Sequence, residues 1–235
     1  MEIFTRTKLL IGDNALKKLQ SSHVVICGCG GVGSYSLEAL VRAGIGKITV
    51  IDSDRIDESN INRQIIATSQ TIGILKTEAA KTRALSINPK IIFTGINAFL
   101  DTDNTKDLIS KDADFIIDAV DFVPAKKAIA LFSQSTSIPL ISCLGTGNRT
   151  DATKFEICDI YKTDTCPLAR KMRYELRRAG VKKLTVLYSK AKAVSPVYNN
   201  DASQHTVGSI SYVPSVAGLL IAQHVITTLT GDTNI

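Results

Sequence analysis

A glycine-rich turn lies between a predicted strand and a predicted helix, and it constrains the fold of this 235-residue chain more than any other feature. The strand is the apolar, β-branched run His23–Cys27 (HVVIC), and apolar residues recur with helical spacing over 32–43. The turn fits the pattern GxGxxG, in which glycines let the backbone approach a phosphate and the helix N-terminus supplies free N–H groups. The pattern predicts an adenine-nucleotide site, with glycines that serve only the turn as the alternative. Its four glycines are Gly28, Gly30, Gly31 and Gly33.

Strands and helices alternate beyond this turn. The sequence predicts strands at 47–51, 91–96, 115–119 and 139–143, with helices at 73–87, 105–110 and 124–133. Such alternation is typical of a Rossmann-like, doubly wound, mostly parallel sheet with helices on both faces. The second half predicts a strand at 154–160, a basic helix at 168–179, a polar loop at 190–207 and a buried apolar helix at 213–229. We therefore expect one domain over 1–235, with a basic excursion at 150–207.

Composition and charge bound the class of protein. The chain has 28 Lys and Arg against 22 Asp and Glu, and a surplus of this size only hints at an anionic partner. Its five cysteines form neither the paired CxxC knuckles of structural zinc nor a disulfide framework. Residues 1–14 lack the layout of a signal peptide, and the apolar segment 213–229 is short for a membrane span. These features predict a soluble, cytoplasmic protein with no membrane partner.

Charged residues after the turn indicate that the bound nucleotide is ATP rather than NAD. Asp52 ends the second predicted strand, where it can accept hydrogen bonds from a ribose. Arg63 and Lys76 place two cations nearby, and a cation at a helix start needs a compensating anion. Asp118 and Asp121 end the fourth strand at the edge where such sheets bind ligands, and could hold Mg²⁺. ATP cleavage needs these charges, and an NAD dehydrogenase does not. The simpler interpretations are that Lys76 is a surface lysine and that Asp121 is a helix N-cap.

Five motifs, in this order, resemble the ubiquitin-activating-enzyme-like superfamily: GCGGVGS at 28–34, DSD at 52–54, NINRQ at 60–64, GILK at 73–76 and DAVD at 118–121. The resemblance implies ATP and Mg²⁺ as cofactors, and a homodimer in which Arg6 enters the neighbour's ATP site. Arg63, Lys76 and the partner's Arg6 would neutralise phosphate charge. Asp121 would hold Mg²⁺. The residues that would bind the nucleotide, besides the glycines, are Asp52, Asp54, Asn62, Arg63, Gln64, Lys76 and Asp118.

The second half indicates a branch of that superfamily. Relatives that activate ubiquitin or sulfur carriers usually have two CxxC pairs or a large cysteine domain, and this chain has neither. Residues 145–169 and the basic helix after them look instead like the dehydratases of threonylcarbamoyladenosine in tRNA. That similarity implies adenylation of the threonyl carboxylate, followed by displacement of AMP by an atom of the carbamoyl group. The side chains that would face tRNA, or would form only a solvated helix face, are Arg170, Lys171, Arg173, Arg177 and Arg178.

Two alternatives remain open from the sequence. In the first, the chain adenylates the C-terminus of a ubiquitin-like sulfur-carrier protein, and Cys166, beside Arg170 and Lys171, acts as a nucleophile with a depressed pKa. A sulfur-transfer or carrier protein would then be a partner. In the second, the turn binds NAD in an oxidoreductase, or a nucleotide in a non-catalytic sensor.

Overall fold

A computed structural model describes residues 3–195 and 207–231 of the chain. Its single sheet has seven strands in the order β3-β2-β1-β4-β5-β7-β6. All neighbouring strands are parallel except β6, which pairs antiparallel with β7 at one edge. The strands are β1 (His23–Cys27), β2 (Lys47–Ile51), β3 (Ile92–Ile96), β4 (Phe115–Asp118), β5 (Leu140–Cys143), β6 (Phe155–Asp159) and β7 (Thr185–Ser189).

Helices cover both faces of this sheet, so the central strands are buried on both sides, as their continuous apolar runs predict. One face carries α1 (Thr5–Ser21), α2 (Gly33–Ala43), α3 (Lys76–Ile87) and α7 (Tyr212–Thr230). The other carries α4 (Thr105–Leu108), α5 (Val123–Thr136) and α6 (Pro167–Arg178). The predicted Rossmann-like, doubly wound fold is thereby confirmed.

Three elements differ from the prediction. Helix α1 was not predicted, and it is kinked at Gly12, whose φ is 80°. Helix α3 begins at Lys76 rather than at 73, because Gly73 has a φ of 82° and Leu75 forms an antiparallel bridge with Arg55. Strand β7 was also not predicted, although it lies between β5 and β6. Within the predicted polar loop, 190–195 contain neither helix nor strand, and most of the remainder lies outside the described residues.

Helix α7 has 19 residues, and by length and composition alone it could cross a membrane, contrary to the expectation that the segment is too short. The fold uses it as a packing element. Its Gly218 lies so close to α2 that an added Cβ would stand 2.4 Å from the carbonyl oxygen of Val32. The Ser36 hydroxyl donates a hydrogen bond of 2.9 Å to the Gly218 carbonyl. Residues along one side, including Val213, Ala217 and Ile221, are buried in the core.

Candidate nucleotide-binding site

A polar cleft of about 380 Å³ opens at the carboxyl edge of the sheet. From β1 the chain continues outward to β2 and β3, then returns to β4 and β5 on the other side. The reversal makes this edge a topological switch point, where open α/β sheets bind ligands. The predicted site residues that line the cleft are Gly28, Gly30, Gly31, Asp52, Asp54, Arg63, Gln64, Lys76 and Asp121.

The turn between β1 and α2 has the geometry that its glycines allow. Gly28 has a φ of 88°, and a Cβ there would stand 2.8 Å from the carbonyl oxygen of Ala119. Gly33 does not line the cleft, and a Cβ at this position would lie 1.9 Å from the Gly28 carbonyl oxygen. At Gly30 a Cβ would meet only Gln64 Nε2, at 3.8 Å, so this position is open toward the cleft. The turn therefore exposes backbone to the position that a phosphate would occupy.

Asp52 connects the end of β2 to the glycine turn. Its carboxylate accepts hydrogen bonds from the backbone N–H of Cys29 at 2.6 Å and of Asp54 at 2.9 Å. Burial raises the pKa of Asp52, and the nearby Lys76 ammonium and the two backbone donors oppose that shift. The side chain is 8% exposed and lines the cleft. A carboxylate held rigidly at this place suits the hydroxyls of a ribose.

Two cations, Lys76 and Arg63, also line the cleft. Lys76 is the first residue of α3 and is 6% exposed, and its ammonium lies 2.6 Å from Asp54 Oδ2 and 3.9 Å from Asp52 Oδ1. These carboxylates compensate a cation that the helix dipole disfavours. Arg63 Nη1 donates to the Ser59 carbonyl at 2.7 Å and to Asn62 Oδ1 at 2.9 Å.

Gln64 and Asn62 differ in their relation to the cleft. Gln64 is 5% exposed, and its Oε1 is buried without a hydrogen-bond partner in the part of the chain that the structure describes. A buried orphan acceptor at a cleft wall suits a ligand that brings a donor. Asn62 does not line the cleft, and its Nδ2 donates to the Ser209 carbonyl at 3.0 Å. Asn62 thus holds the segment of the cleft-lining Ser209 in place and accepts one of the hydrogen bonds that Arg63 donates.

The two carboxylates after β4 have different environments. Contrary to the prediction, Asp118 does not line the cleft: it is fully buried, and both its oxygens lie 3.1 Å from the Lys126 ammonium. The Ser142 hydroxyl also donates to it. Asp121 is exposed and lines the cleft. Of these two carboxylates, Asp118 is therefore paired with a lysine from α5, and Asp121 is the one that is open to a ligand.

Metal binding at this edge would depend on Asp121. Within residues 3–195 and 207–231, no group of three or more His, Cys, Asp or Glu side chains could hold a metal ion. Mg²⁺ is usually held by one or two carboxylates together with substrate phosphates and waters. The exposed Asp121 carboxylate, which lines the cleft together with the phosphate-binding turn, fits that arrangement.

The remaining predicted residues lie away from the cleft. Arg6 is exposed on α1 and does not line the cleft of its own chain. Cys166 precedes α6 and is 4% exposed, packed in the same core as Met172 and Leu176. A thiol in that position has no route to a ligand in the cleft without movement of the core, which argues against its predicted role as a nucleophile.

The basic side chains of α6 are mostly on the surface. Arg170, Lys171, Arg177 and Arg178 are exposed. Arg177 lies 5.1 Å from the centre of the Tyr161 ring, and Arg178 lies 5.5 Å from that of Tyr174. Arg173 differs, since it is half-buried and donates to the Thr163 carbonyl at 2.9 Å. It anchors α6 to the preceding loop instead of facing solvent.

The sequence did not identify several residues of the cleft. Phe99 and Phe122 are 56% and 40% exposed, and their rings lie 5.3 Å apart at the rim of the cleft. Thr146 and Ser209 also line it. Their signal was position: Phe99, Phe122 and Thr146 follow the carboxyl ends of β3, β4 and β5, where ligand-binding loops lie. Ser209 is far away in sequence and carries no such signal.

The sheet, the glycine turn and the charged cleft define an α/β protein with an adenine-nucleotide-binding site of the ATP-using type. A model of the ThiF family matches residues 4–235, and the chain belongs to the ThiF family. This confirms the superfamily resemblance carried by the sequence motifs.

Within this family, the chain is similar to proteins named tRNA threonylcarbamoyladenosine dehydratase, both in sequence and in structure. The chain is 36% identical over 244 residues to the tRNA threonylcarbamoyladenosine dehydratase of Bacillus subtilis (strain 168), covering 99% of this chain and 96% of that protein. It is 38% identical to the Escherichia coli (strain K12) protein of the same name, over 74% of this chain and 65% of the relative. The crystal structure of the E. coli dehydratase TcdA in complex with ATP has a TM-score of 0.89 and 31% identity, covering 97% of this chain and 93% of that one.

Relatives of the other branch match a smaller part. The adenylyltransferase and sulfurtransferase UBA4 of Kluyveromyces lactis is 36% identical over 125 residues, which is 53% of this chain and 28% of that protein.

Proposed function

We propose that the protein uses ATP to cyclise threonylcarbamoyladenosine in tRNA, with net loss of one water. The observation that carries this proposal is the cleft itself, which combines a glycine turn suited to phosphate, the buried Asp52 carboxylate, two cations and the exposed Asp121 carboxylate. The similarity to dehydratases along the whole chain supports the choice of tRNA as the substrate. UBA4 supports the carrier-protein alternative over only about half of the chain.

The reaction requires two displacements. The threonyl carboxylate attacks the α-phosphorus of ATP, and pyrophosphate leaves. An atom of the carbamoyl group then attacks the activated carbonyl carbon, AMP leaves and a ring closes. Because the nucleophile belongs to the substrate, the protein needs no thiol, and the burial of Cys166 costs nothing in this mechanism.

The protein's own residues position the reactants and stabilise charge. The 28–33 turn would receive the phosphates on its N–H groups, and Asp52 would hold the ribose. Arg63 and Lys76 would neutralise charge that develops as pyrophosphate leaves. Asp121 would hold Mg²⁺, and the ion would supply positive charge that offsets the negative charge of the phosphates.

We also propose that two copies share their sites, with Arg6 acting on the partner's nucleotide. Leu9 and Leu10, close to Arg6 on α1, are 83% and 79% exposed, which suits an apolar contact between subunits. The five cysteines are all free thiols, which agrees with a reducing compartment such as the cytoplasm.

The test combines purified enzyme, MgATP and tRNA carrying threonylcarbamoyladenosine, followed by digestion and weighing of the nucleosides. We expect the modified nucleoside to lose the mass of one water only when ATP is present. Unchanged mass, with ATP bound and a correctly modified tRNA, would refute the proposal. Adenylation of a protein ending in Gly-Gly would then favour the carrier-protein alternative.

Variants separate the roles inside the site. Asp121→Ala should lower turnover about 10²-fold or more with the fold intact, as loss of a group that stabilises transition-state charge does. Asp107→Ala, which removes an exposed carboxylate outside the cleft, is the matched control.

Subunit mixing tests the shared site. If Arg6 acts across the interface, a mixture of inactive Arg6→Ala and Asp121→Ala subunits contains heterodimers with one intact site, so roughly a quarter of wild-type activity should return. A mixture as inactive as its components would rule out the role of Arg6 in the partner's site.

A further inference from the structure

A lysine-lined trough runs along the outer face of α5, on the side of the sheet that also carries α4 and α6. It consists of two adjoining grooves, of about 770 and 460 Å³, which share Gln134 as a lining residue. We name this surface the α5 trough. Neither groove belongs to the nucleotide cleft, and Lys171 is the one lining residue that was given a predicted role above, as a side chain that would face tRNA.

The α5 trough begins where the nucleotide cleft ends. Phe122 lines the cleft, and the next residues along the chain, Val123 and Pro124, line the trough. The loop after β3 makes the same transition, with Leu100 in the cleft and Thr102 in the trough. Along both loops the trough thus begins one or two residues after the cleft, which brings α5 within reach of a polymer whose reacting group lies beside Asp121.

The charge of the trough is strongly positive. Among the described residues, five lysines and one carboxylate line it, and that carboxylate, Glu175, is neutralised by the Lys127 ammonium at 3.2 Å. Exposed Asp103 and Asp107 flank Lys106 in sequence, so the positive excess is largest toward α6 and β7. The five lysines are Lys106, Lys127, Lys171, Lys182 and Lys183.

The floor of the trough is apolar. Leu131 is 37% exposed and lies on the outer face of α5, beside Ala128 and the largely buried Phe132. Cationic rims over an apolar floor suit single-stranded RNA, because phosphates meet the ammonium groups while unstacked bases cover apolar side chains. An acidic protein segment would find the same charges but would leave base-sized apolar contacts unused.

We infer that the α5 trough binds the loop nucleotides of tRNA that flank the modified adenosine. The inference rests on the proposed function, because that function supplies the tRNA, and it adds the path that the RNA takes away from the cleft. It extends the predicted RNA contact from α6 to Lys106, Lys127, Leu131 and the pair Lys182 and Lys183.

The experiment measures binding of the full-length enzyme to tRNA at several salt concentrations, using Lys182→Ala/Lys183→Ala as the test variant. Lys81→Ala/Lys90→Ala is the matched control, since both control lysines are exposed in the α3 region on the opposite face of the sheet. Loss of two phosphate contacts should lower the slope of log affinity against log salt by about 1.4, and should weaken binding roughly tenfold. The KM for ATP and the kcat at saturating tRNA should stay unchanged.

A second pair tests the apolar floor. Leu131→Ser should weaken tRNA binding with an unchanged salt slope, whereas Leu219→Ser, at an exposed leucine of α7, should not. Wild-type affinity and salt slope in both trough variants would overturn the inference. If the wild-type enzyme fails to dehydrate the nucleoside, the proposed function fails, while these binding measurements still decide whether the trough binds RNA.

Discussion

Replacing Lys126 with methionine should cost the protein a large share of its stability. Lys126 is 1% exposed, and its ammonium lies 3.1 Å from both oxygens of Asp118 and donates to the Cys143 carbonyl at 2.7 Å. Methionine fills a similar volume but leaves the Asp118 carboxylate buried, and among the described residues its remaining donors are the Ser142 hydroxyl and the Val120 N–H. Removing one partner of a buried ion pair costs about 3–5 kcal/mol, against a total stability of about 5–15 kcal/mol for a folded domain.

The measurement is urea unfolding of the wild type, Lys126→Met, Asp118→Asn and the double variant. A loss of about 3–5 kcal/mol corresponds to a fall in Tm of roughly 10 °C in a chain of this size. Because Asp118→Asn removes the orphaned charge, the double variant should be clearly more stable than the sum of the single losses predicts.

Lys127→Met is the control for this cycle. Its ammonium pairs with Glu175 at 3.2 Å, but the side chain is 32% exposed, so the loss should stay within about 1 kcal/mol. The reasoning is refuted if Lys126→Met loses no more stability than Lys127→Met and the two substitutions of the cycle are additive.

Three further predictions follow from contacts elsewhere in the molecule. Gly33→Ala should destabilise the fold by about 1–3 kcal/mol in urea unfolding, because its Cβ would lie 1.9 Å from a carbonyl oxygen, whereas Gly30→Ala should fold normally and weaken ATP binding. Cys166→Ala should retain ATP-dependent dehydration in the nucleoside-mass assay, and an inactive but folded variant would restore its role as a nucleophile. Burial lowers the pKa of His224 in the folded state, so as pH falls the unfolded state takes up this proton first and the free energy of unfolding should decrease below pH 6.5. In His224→Gln, urea unfolding should show a smaller decrease in stability between pH 7 and pH 5. A decrease equal to that of the wild type would contradict the lowered pKa.

The sequence by itself determined the elements whose signals are local. The strands His23–Cys27 and Lys47–Ile51 were predicted with the bounds that the structure has, because each is a short apolar run closed by a turn or a charged residue. The glycine turn could also be predicted from the sequence. Gly28 has a φ of 88° and Gly33 lies against the Gly28 carbonyl, and both features require glycine at positions that are close in sequence. Most of the cleft followed, because parallel strands place their carboxyl ends at one edge.

Only the tertiary structure decided which of these residues face the cleft. Asp118 and Asp121 have the same chemistry and lie three positions apart, yet a lysine from α5 neutralises the first and leaves the second open. Likewise, the order of the last two strands in the sheet is the reverse of their order in the chain. β7 pairs with β5, and β6, which comes before β7 in sequence, lies at the edge. Strand order and ion pairing depend on contacts between distant segments, and these are selected by how the whole core packs, which no local pattern encodes.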